Sequence, residues 1–156
     1  MSNEDKRGPG LRFPPPLLLL AAVGCTWLVD WIRPLPIVAG DALLMAGIVI
    51  IAAALLIALT ALLHFFEAKT HVEPWHPTTK IIRGGVYRFS RNPIYLSFCI
   101  VAVGTGLVLN SWWVVASVTL LKPLLERLVI SREEIYLEKK FGDHYLEYKR
   151  KVRRWL

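Results

Sequence analysis

The sequence is poor in the residues that build cross-linked, metal-binding or hydrolytic sites. Its two cysteines, Cys25 and Cys99, lie in separate apolar runs, which excludes a disulfide scaffold and a CxxC redox pair and favours buried packing residues. The four histidines show neither HxxxH nor HExxH spacing, so we predict no metal site. A Gly-x-Ser-x-Gly elbow is also missing, which argues against a serine hydrolase of that class.

Acidic side chains are scarce too, with 12 Asp and Glu against 19 Lys and Arg among 156 residues. The basic residues are not interleaved with aromatics as in an RNA- or DNA-binding surface, so we predict no nucleic-acid partner. Contact with anionic membrane lipids explains the excess charge of +7 more simply. Because 54% of the residues are hydrophobic and fall in long unbroken blocks, the composition is that of a membrane protein.

The apolar blocks predict an all-α, polytopic membrane protein with about four transmembrane helices. Residues 42–63 carry no charge over 22 positions, and at about 1.5 Å per residue they span roughly 33 Å, enough for the bilayer core. A first span is predicted over about 14–32, beginning in a run of prolines. The uncharged stretch 94–121 is too long for one ordinary span, and Asn110-Ser111 interrupts it. It therefore predicts a helical hairpin with arms at about 93–109 and 112–130.

Lys and Arg are distributed unevenly among the segments that connect the spans. A predicted flexible tail over 1–13 holds three, residues 64–92 hold five and residues 122–156 hold ten, but residues 30–41 hold one. The positive-inside rule then places both termini in the cytoplasm. We expect one domain with cytosolic helices over 131–156, in a bacterial inner membrane or, alternatively, the endoplasmic reticulum.

A segment dense in arginine, glycine and aromatic residues, 83–95, stands immediately before the third predicted span. Gly85 permits positive φ and close approach of a ligand, and Pro93 suits the first turn of a helix. The free N–H groups and the dipole of that helix start suit a carboxylate or a phosphate. A positive-inside flank with a tight turn is the simpler interpretation.

A second polar segment contains the adjacent acids Glu133 and Glu134 on the helix that continues from the hairpin. Adjacent helical residues point about 100° apart, so at most one of the two would face solvent. A carboxylate facing inward could bind an ammonium or ribose hydroxyls, and a solvated charged helix is the alternative. Further on, Tyr145, Tyr148 and Val152 at i, i+3 and i+7 predict an amphipathic helix against the membrane surface.

Together these motifs resemble the isoprenylcysteine carboxyl methyltransferase family, whose pattern phospholipid N-methyltransferases share. The resemblance covers about residues 80–155. It implies an integral membrane enzyme that uses S-adenosylmethionine, releases S-adenosylhomocysteine and has its pocket on the cytosolic side. The implied acceptor is a lipophilic or small molecule with a carboxylate, amine or thiol. The motifs that carry the resemblance are Gly85-Val86-Tyr87-Arg88, Arg91-Asn92-Pro93-Ile94-Tyr95, Glu133-Glu134 and Phe141-Gly142-Asp143-His144-Tyr145 with Tyr148.

The resemblance also implies the site residues. Those matched to the catalytic positions are Arg91, Asn92 and Tyr95, and Asn92 stands where many members have His but can still donate and accept hydrogen bonds. We expect no metal, because positioning and desolvation can supply most of the acceleration of a methyl transfer. Arg150 and Arg153, with Trp155, are candidates for binding an acidic acceptor or for anchoring at the interface. The implied cofactor-binding set is Gly85, Tyr87, Arg91, Asn92, Pro93, Tyr95, Glu133 and Glu134.

Two other functions stay open at this point. Membrane sterol reductases have a similar C-terminal layout and use NADPH, whose 2′-phosphate could bind Arg83, Arg88 and Arg91. The third hypothesis is a non-enzymatic structural protein in which both motifs serve topology alone. Neither the acceptor nor the oligomeric state follows from the sequence.

Overall fold

The computed structural model describes residues 8–11, 13–38, 40–71 and 76–156. A 3₁₀ turn, Gly85–Arg88, precedes the third helix, and a π turn, Glu126–Ile130, joins the fourth to the fifth. No strand forms within the described ranges, as the all-α prediction requires, whereas most of the predicted flexible tail over 1–13 lies outside them. The six α-helices are α1 (Pro16–Ile32), α2 (Asp41–Glu67), α3 (Pro93–Val108), α4 (Trp112–Leu125), α5 (Ser131–Phe141) and α6 (Asp143–Lys151).

Helices α1 to α4 coincide with the four predicted spans, but they differ in length. Within the part of the chain that is described, α2 alone is long and apolar enough to cross a membrane. Helices α1 and α3 are apolar but have 17 and 16 residues, and α4 reaches residue 130 only through the π turn. The structure therefore supports one candidate span, and the four-span topology stays a prediction.

The surface of α2 is unlike that of a core helix in a soluble protein. In the most apolar 18-residue stretch of α2, 11% of the residues are buried. Large side chains such as Val49, Leu55 and Leu56 are exposed. A continuous apolar surface of this kind suits contact with lipid.

Small residues bring α2 and α3 into close contact. A Cβ added at Gly47 would lie 2.8 Å from the carbonyl oxygen of Gly104, and one added at Gly104 would lie 2.7 Å from Cγ1 of Ile51. Ala54 of α2 is fully buried. Glycine and alanine thus let the two backbones approach more closely than larger side chains would allow.

The predicted hairpin turn between α3 and α4 lies at Asn110 and Ser111. Asn110 has φ of 52°, and its Oδ1 accepts hydrogen bonds from the backbone N–H groups of Ile37 at 2.9 Å and Val38 at 3.1 Å. Ser111 Oγ caps α4 by accepting from the N–H of Val114 at 3.3 Å. The same turn therefore reverses the chain and fixes the connection between α1 and α2.

The core lies where α4 and the π turn pack against α1 and α3. Leu121, Leu125 and Val129 are fully buried there, and Cys99 of α3 belongs to the same cluster. Cys25 is exposed on α1, so the expectation that both cysteines are buried is wrong for Cys25. It lies on an apolar helix whose outer face carries other exposed apolar side chains.

Candidate functional site

A pocket opens where the end of α2, the 3₁₀ turn and the start of α3 meet α5 and α6. It holds about 860 Å³ of empty space, its open mouth and the solvent there included. One part of the wall is apolar and includes Phe65, Ile81 and Leu137. The polar and aromatic part is formed by Tyr87, Arg91, Asn92, Tyr95, Glu133, Glu134, Tyr136, Tyr145 and Tyr148.

The start of α3 forms one edge of this pocket. Pro93 occupies the first helical turn, and no side chain caps the helix, so its first N–H groups stay available to a ligand. Asn92, the residue before the helix, donates from Nδ2 to the carbonyl oxygen of Arg154 at 3.0 Å. Its backbone N–H donates to Ser90 Oγ at 3.1 Å. Asn92 thus ties the C-terminal segment to the pocket edge.

Arg91 is buried with unused hydrogen-bonding capacity. Its side chain is 7% exposed, and Nη2 donates to Glu134 Oε1 at 3.0 Å. Among the described residues, neither Nε nor Nη1 has a hydrogen-bond partner. A buried donor without a partner costs about 1–3 kcal/mol, so an anion that reached Nε or Nη1 would be stabilised by a charge-assisted hydrogen bond.

Glu134 is surrounded by cations. Besides Arg91, the side chain of Arg154 donates to it from Nε at 3.0 Å and from Nη2 at 2.6 Å, one bond to each carboxylate oxygen. The ammonium of Lys149 lies 3.8 Å away. The charge of this 7% exposed carboxylate is therefore balanced within the protein.

Glu133 has a different environment from its neighbour. Its Oε1 accepts a hydrogen bond from the Tyr95 hydroxyl at 2.6 Å. Burial raises the pKa of Glu133 from 4.5 to about 7; the Tyr95 hydrogen bond lowers this pKa and the charge of Glu134 raises it. Glu133 can therefore be neutral or ionised near neutral pH, and its charge is available to a cation.

Three buried tyrosines close the pocket on the side of α6. The Tyr148 hydroxyl donates to the carbonyl oxygen of Tyr87 at 2.7 Å, and the ring of Phe65 meets Tyr87 edge-on at 6.0 Å. Burial raises the pKa of Tyr148 to about 12 and moves those of Tyr87 and Tyr145 further upward. All three phenols are neutral at physiological pH, and their rings offer apolar faces that also attract cations.

This arrangement corrects the expectation for the last helix. Tyr145 and Tyr148 are 3% and 5% exposed, so the tyrosine face of α6 packs on the pocket and not against the membrane surface. Val152 lies beyond the end of α6 in extended backbone. The periodicity predicted the helix, but it could not tell which surface would cover its aromatic face.

Gly85 supports the pocket from outside. It has φ of 54°, and a Cβ there would clash with Nε2 of His64. His64 is held in place through Nδ1, which lies 2.7 Å from the carbonyl oxygen of Thr60. Gly85 is not among the residues that line the cavity; it lets the 3₁₀ turn approach α2 closely.

The structure brings most of the predicted site residues together. Gly85, Arg150 and Arg153 lie outside the pocket lining, and the side chains of both arginines are exposed. Of the C-terminal arginines it is Arg154 that contacts a lining residue, through its bonds to Glu134. Sequence reasoning missed it because it follows the end of α6, where helical periodicity gives no orientation. The predicted residues that line the pocket are Tyr87, Arg91, Asn92, Pro93, Tyr95, Glu133 and Glu134.

The basic cluster that would serve a 2′-phosphate does not converge on the pocket. Arg91 lines it, but Arg83 and Arg88 do not. The Arg83 guanidinium is bonded to the carbonyl oxygen of His144 and lies over the ring of Tyr148. For metals, the described part of the chain contains no group of three or more His, Cys, Asp or Glu residues able to hold an ion.

Comparison with known proteins connects this site to a family. The family model for phospholipid methyltransferases matches residues 36–144. Over 74 residues the chain is 36% identical to the protein-S-isoprenylcysteine O-methyltransferase of Schizosaccharomyces pombe, covering 46% of this chain and 30% of that protein. Over 84 residues it is 38% identical to a probable protein-S-isoprenylcysteine O-methyltransferase of Oryza sativa subsp. indica, covering 54% and 42%.

A shorter relative extends the comparison to bacteria. The chain is 41% identical over 63 residues to an uncharacterized protein of Haemophilus influenzae, a match that covers 40% of this chain and all of that protein. The matched segments span less than half the length of the two methyltransferases above. No solved structure matches the chain.

Proposed function

Because the chain belongs to the phospholipid methyltransferase family, we propose that it transfers a methyl group from S-adenosylmethionine to a lipophilic or small acceptor. The acceptor carries a carboxylate, amine or thiol, and the reaction takes place at the cytosolic boundary of a membrane. The observation that carries the proposal is the buried guanidinium of Arg91. Arg91 lines the pocket, two of its nitrogens have no partner among the described residues, and the ionisable Glu133 lines the same pocket.

The residues of the pocket fit the two charges at the methionine end of the cofactor. Arg91 and the uncapped start of α3 would hold its carboxylate. Glu133 in its ionised form would hold its ammonium, whereas Glu134 is already paired with Arg91 and Arg154. The rings of Tyr87 and Tyr145 supply faces of the kind that attract a cationic centre.

The contribution of the chain to the chemistry is binding, orientation and exclusion of water. When bound, S-adenosylmethionine supplies a methyl group attached to a positively charged sulfur. Buried neutral tyrosines and the apolar wall at Phe65, Ile81 and Leu137 would exclude water from the site, and the charged groups would hold and orient the cofactor. Arg91, Asn92 and Tyr95, the residues proposed as catalytic, lie together at the start of α3.

The membrane arrangement is part of the same proposal. Four spans with both termini in the cytoplasm, in a bacterial inner membrane, leave the pocket at the end of the apolar helices. The exposed apolar surface of α2 and the exposed Trp27 and Trp31 of α1 support contact with lipid and with its interface. An amphiphilic acceptor would then enter sideways from the bilayer, and the soluble cofactor would enter from the cytosol.

Calorimetric titration of the detergent-purified protein tests the proposal. We expect saturable binding of S-adenosylmethionine and S-adenosylhomocysteine and no binding of NADPH. Arg91→Ala is expected to weaken both by about tenfold or more, the cost of losing a charge-assisted pair. Arg132→Ala, which removes an exposed arginine of α5, is the matched control and keeps the wild-type affinity.

Two outcomes would overturn this function. Binding of NADPH alone would favour the reductase, and absence of binding of all three compounds would favour a structural protein. Full cofactor affinity in both Arg91→Ala and Asn92→Ala would leave the enzyme class intact but refute the site.

A further inference from the structure

The last five residues, 152–156, form a strap that crosses the start of α3. Val152 is extended, with φ of −124° and ψ of 131°, so the chain leaves α6 and turns back toward the pocket. The backbone N–H of Arg91 donates to the carbonyl oxygen of Arg153 at 3.0 Å. Further along the strap, Trp155 Nε1 donates to Glu126 Oε1 at 2.5 Å. The strap is thus attached both at the pocket and at the π turn.

The strap delivers the side chain of Arg154 to the face of Glu134. Its Nε and Nη2 bond one carboxylate oxygen each, at 3.0 and 2.6 Å. Arg91 shares only Oε1, through Nη2. Glu134 therefore receives its bidentate pairing from Arg154, and Arg91 retains Nε and Nη1 without a hydrogen-bond partner among the described residues.

The bonds from Arg154 to Glu134 matter because Arg91 could otherwise form two bonds to this carboxylate. A carboxylate readily accepts two parallel bonds from a single guanidinium. Without Arg154, the buried Glu134 would have Arg91 and the more distant Lys149, at 3.8 Å, to balance its charge. A second bond from Arg91 to Glu134 would then consume a donor that now has no partner among the described residues.

We propose that Arg154 is a positioning residue that occupies Glu134 and so keeps the guanidinium of Arg91 free to bind the carboxylate of the cofactor. The inference rests on the proposed function. Arg154 does not itself line the cavity; it acts through Glu134. Its loss should therefore weaken binding of the part of the ligand that Arg91 holds and leave the rest unaffected.

Two ligands that differ only at the methionine end separate this role from a merely structural one. S-adenosylhomocysteine carries the carboxylate and ammonium, and 5′-methylthioadenosine lacks both. In Arg154→Ala we expect the Kd for the first to rise about tenfold or more and that for the second to change less than about twofold. General loosening of the pocket would weaken both equally, and that outcome overturns the proposal.

A double variant gives a second, opposite expectation. Adding Glu134→Gln to Arg154→Ala removes the charge that would capture Arg91, so affinity for S-adenosylhomocysteine should recover at least about threefold over the single variant. A further loss in the double variant refutes the mechanism. If Arg154→Ala does not yield folded protein, Arg154→Lys decides. Lysine keeps the positive charge but cannot form the bidentate pair of a guanidinium. An unchanged ratio of the affinities for S-adenosylhomocysteine and 5′-methylthioadenosine overturns the proposal.

The proposed function and the role of Arg154 fail in different ways. Absence of S-adenosylmethionine and S-adenosylhomocysteine binding in the wild-type protein refutes the proposed function. Normal binding in the wild type with an unaltered ligand ratio in Arg154→Ala refutes the role of Arg154 alone.

Discussion

Cofactor affinity is expected to depend on pH near neutrality because of Glu133. Burial raises the pKa of this carboxyl to about 7, and only its ionised form attracts an ammonium. For a carboxyl with that pKa, the ionised fraction is about 0.09 at pH 6 and about 0.76 at pH 7.5. If binding requires the ionised form, the Kd for S-adenosylhomocysteine should fall about eightfold over this interval.

The measurement is a calorimetric titration at several pH values in two buffers of different ionisation enthalpy. Since the ligand stabilises the ionised carboxylate, binding at pH 7 should release about half a proton. Glu133→Gln should bind more weakly and lose both the slope and the proton release. Glu147→Gln is the matched control, because the hydrogen bond from Lys151 lowers the pKa of this exposed carboxyl and it stays ionised throughout.

The free protein should show the opposite trend in stability. The folded-state pKa of Glu133 lies above its ordinary value, so its contribution favours the folded state at acid pH and is lost as the pH rises through about 7. The thermal midpoint without ligand should therefore fall between pH 6 and pH 8 relative to that of Glu133→Gln. A flat affinity profile in the wild type, or one retained in Glu133→Gln, would refute the assignment of the ammonium to Glu133.

Two further substitutions test the surroundings of the pocket. Tyr95→Phe removes the hydrogen bond that lowers the pKa of Glu133, so the midpoint of the affinity profile should move to higher pH; a midpoint that stays or falls would contradict this. Gly85→Ala introduces a Cβ at φ of 54° against the ring of His64, and chemical denaturation should report a loss of about 1–3 kcal/mol. The same change in a His64→Ala background should cost less, because the clash but not the backbone strain is relieved.

Features encoded by local sequence were predicted well. The hairpin turn at Asn110 and the start of α3 at Pro93 depend on residues whose backbone preferences act over a few positions. Pro93 fixes the start of α3, and this helix start forms one edge of the pocket. The family resemblance implied positions 87, 91, 92, 93 and 95 as a group, and in the structure all five line the pocket.

The orientation of the two adjacent acids was harder to predict. A separation of about 100° around the helix indicated that one of them could face solvent. In the structure both Glu133 and Glu134 line the pocket, where Glu133 accepts a hydrogen bond from Tyr95 and Glu134 accepts one from Arg91. The π turn before α5 also shifts the helical register by one residue, a step that hydrophobic periodicity does not reveal.

The contribution of the C-terminal segment depends on contacts distant in sequence. Helical periodicity ends with α6 at Lys151, and the strap beyond it is oriented by hydrogen bonds to residues 90–92. On this strap Arg153 is exposed and Arg154 bonds to Glu134. Choosing between neighbouring arginines required knowing which backbone the strap would meet.

The position of Arg154 also gives Glu133 and Glu134 different roles. Glu134 accepts hydrogen bonds from Arg91 and from Nε and Nη2 of Arg154. A bound ammonium would therefore have to compete with two guanidinium groups for the oxygens of Glu134. Glu133 has a neutral phenol as its hydrogen-bond partner and gains an opposite charge only when a cation enters the pocket. Since a raised pKa reflects the cost of an uncompensated buried charge, a cationic ligand next to Glu133 offsets that cost. Glu133 is therefore the member of the pair suited to the ligand, and Glu134 is the member that organises the arginines around it.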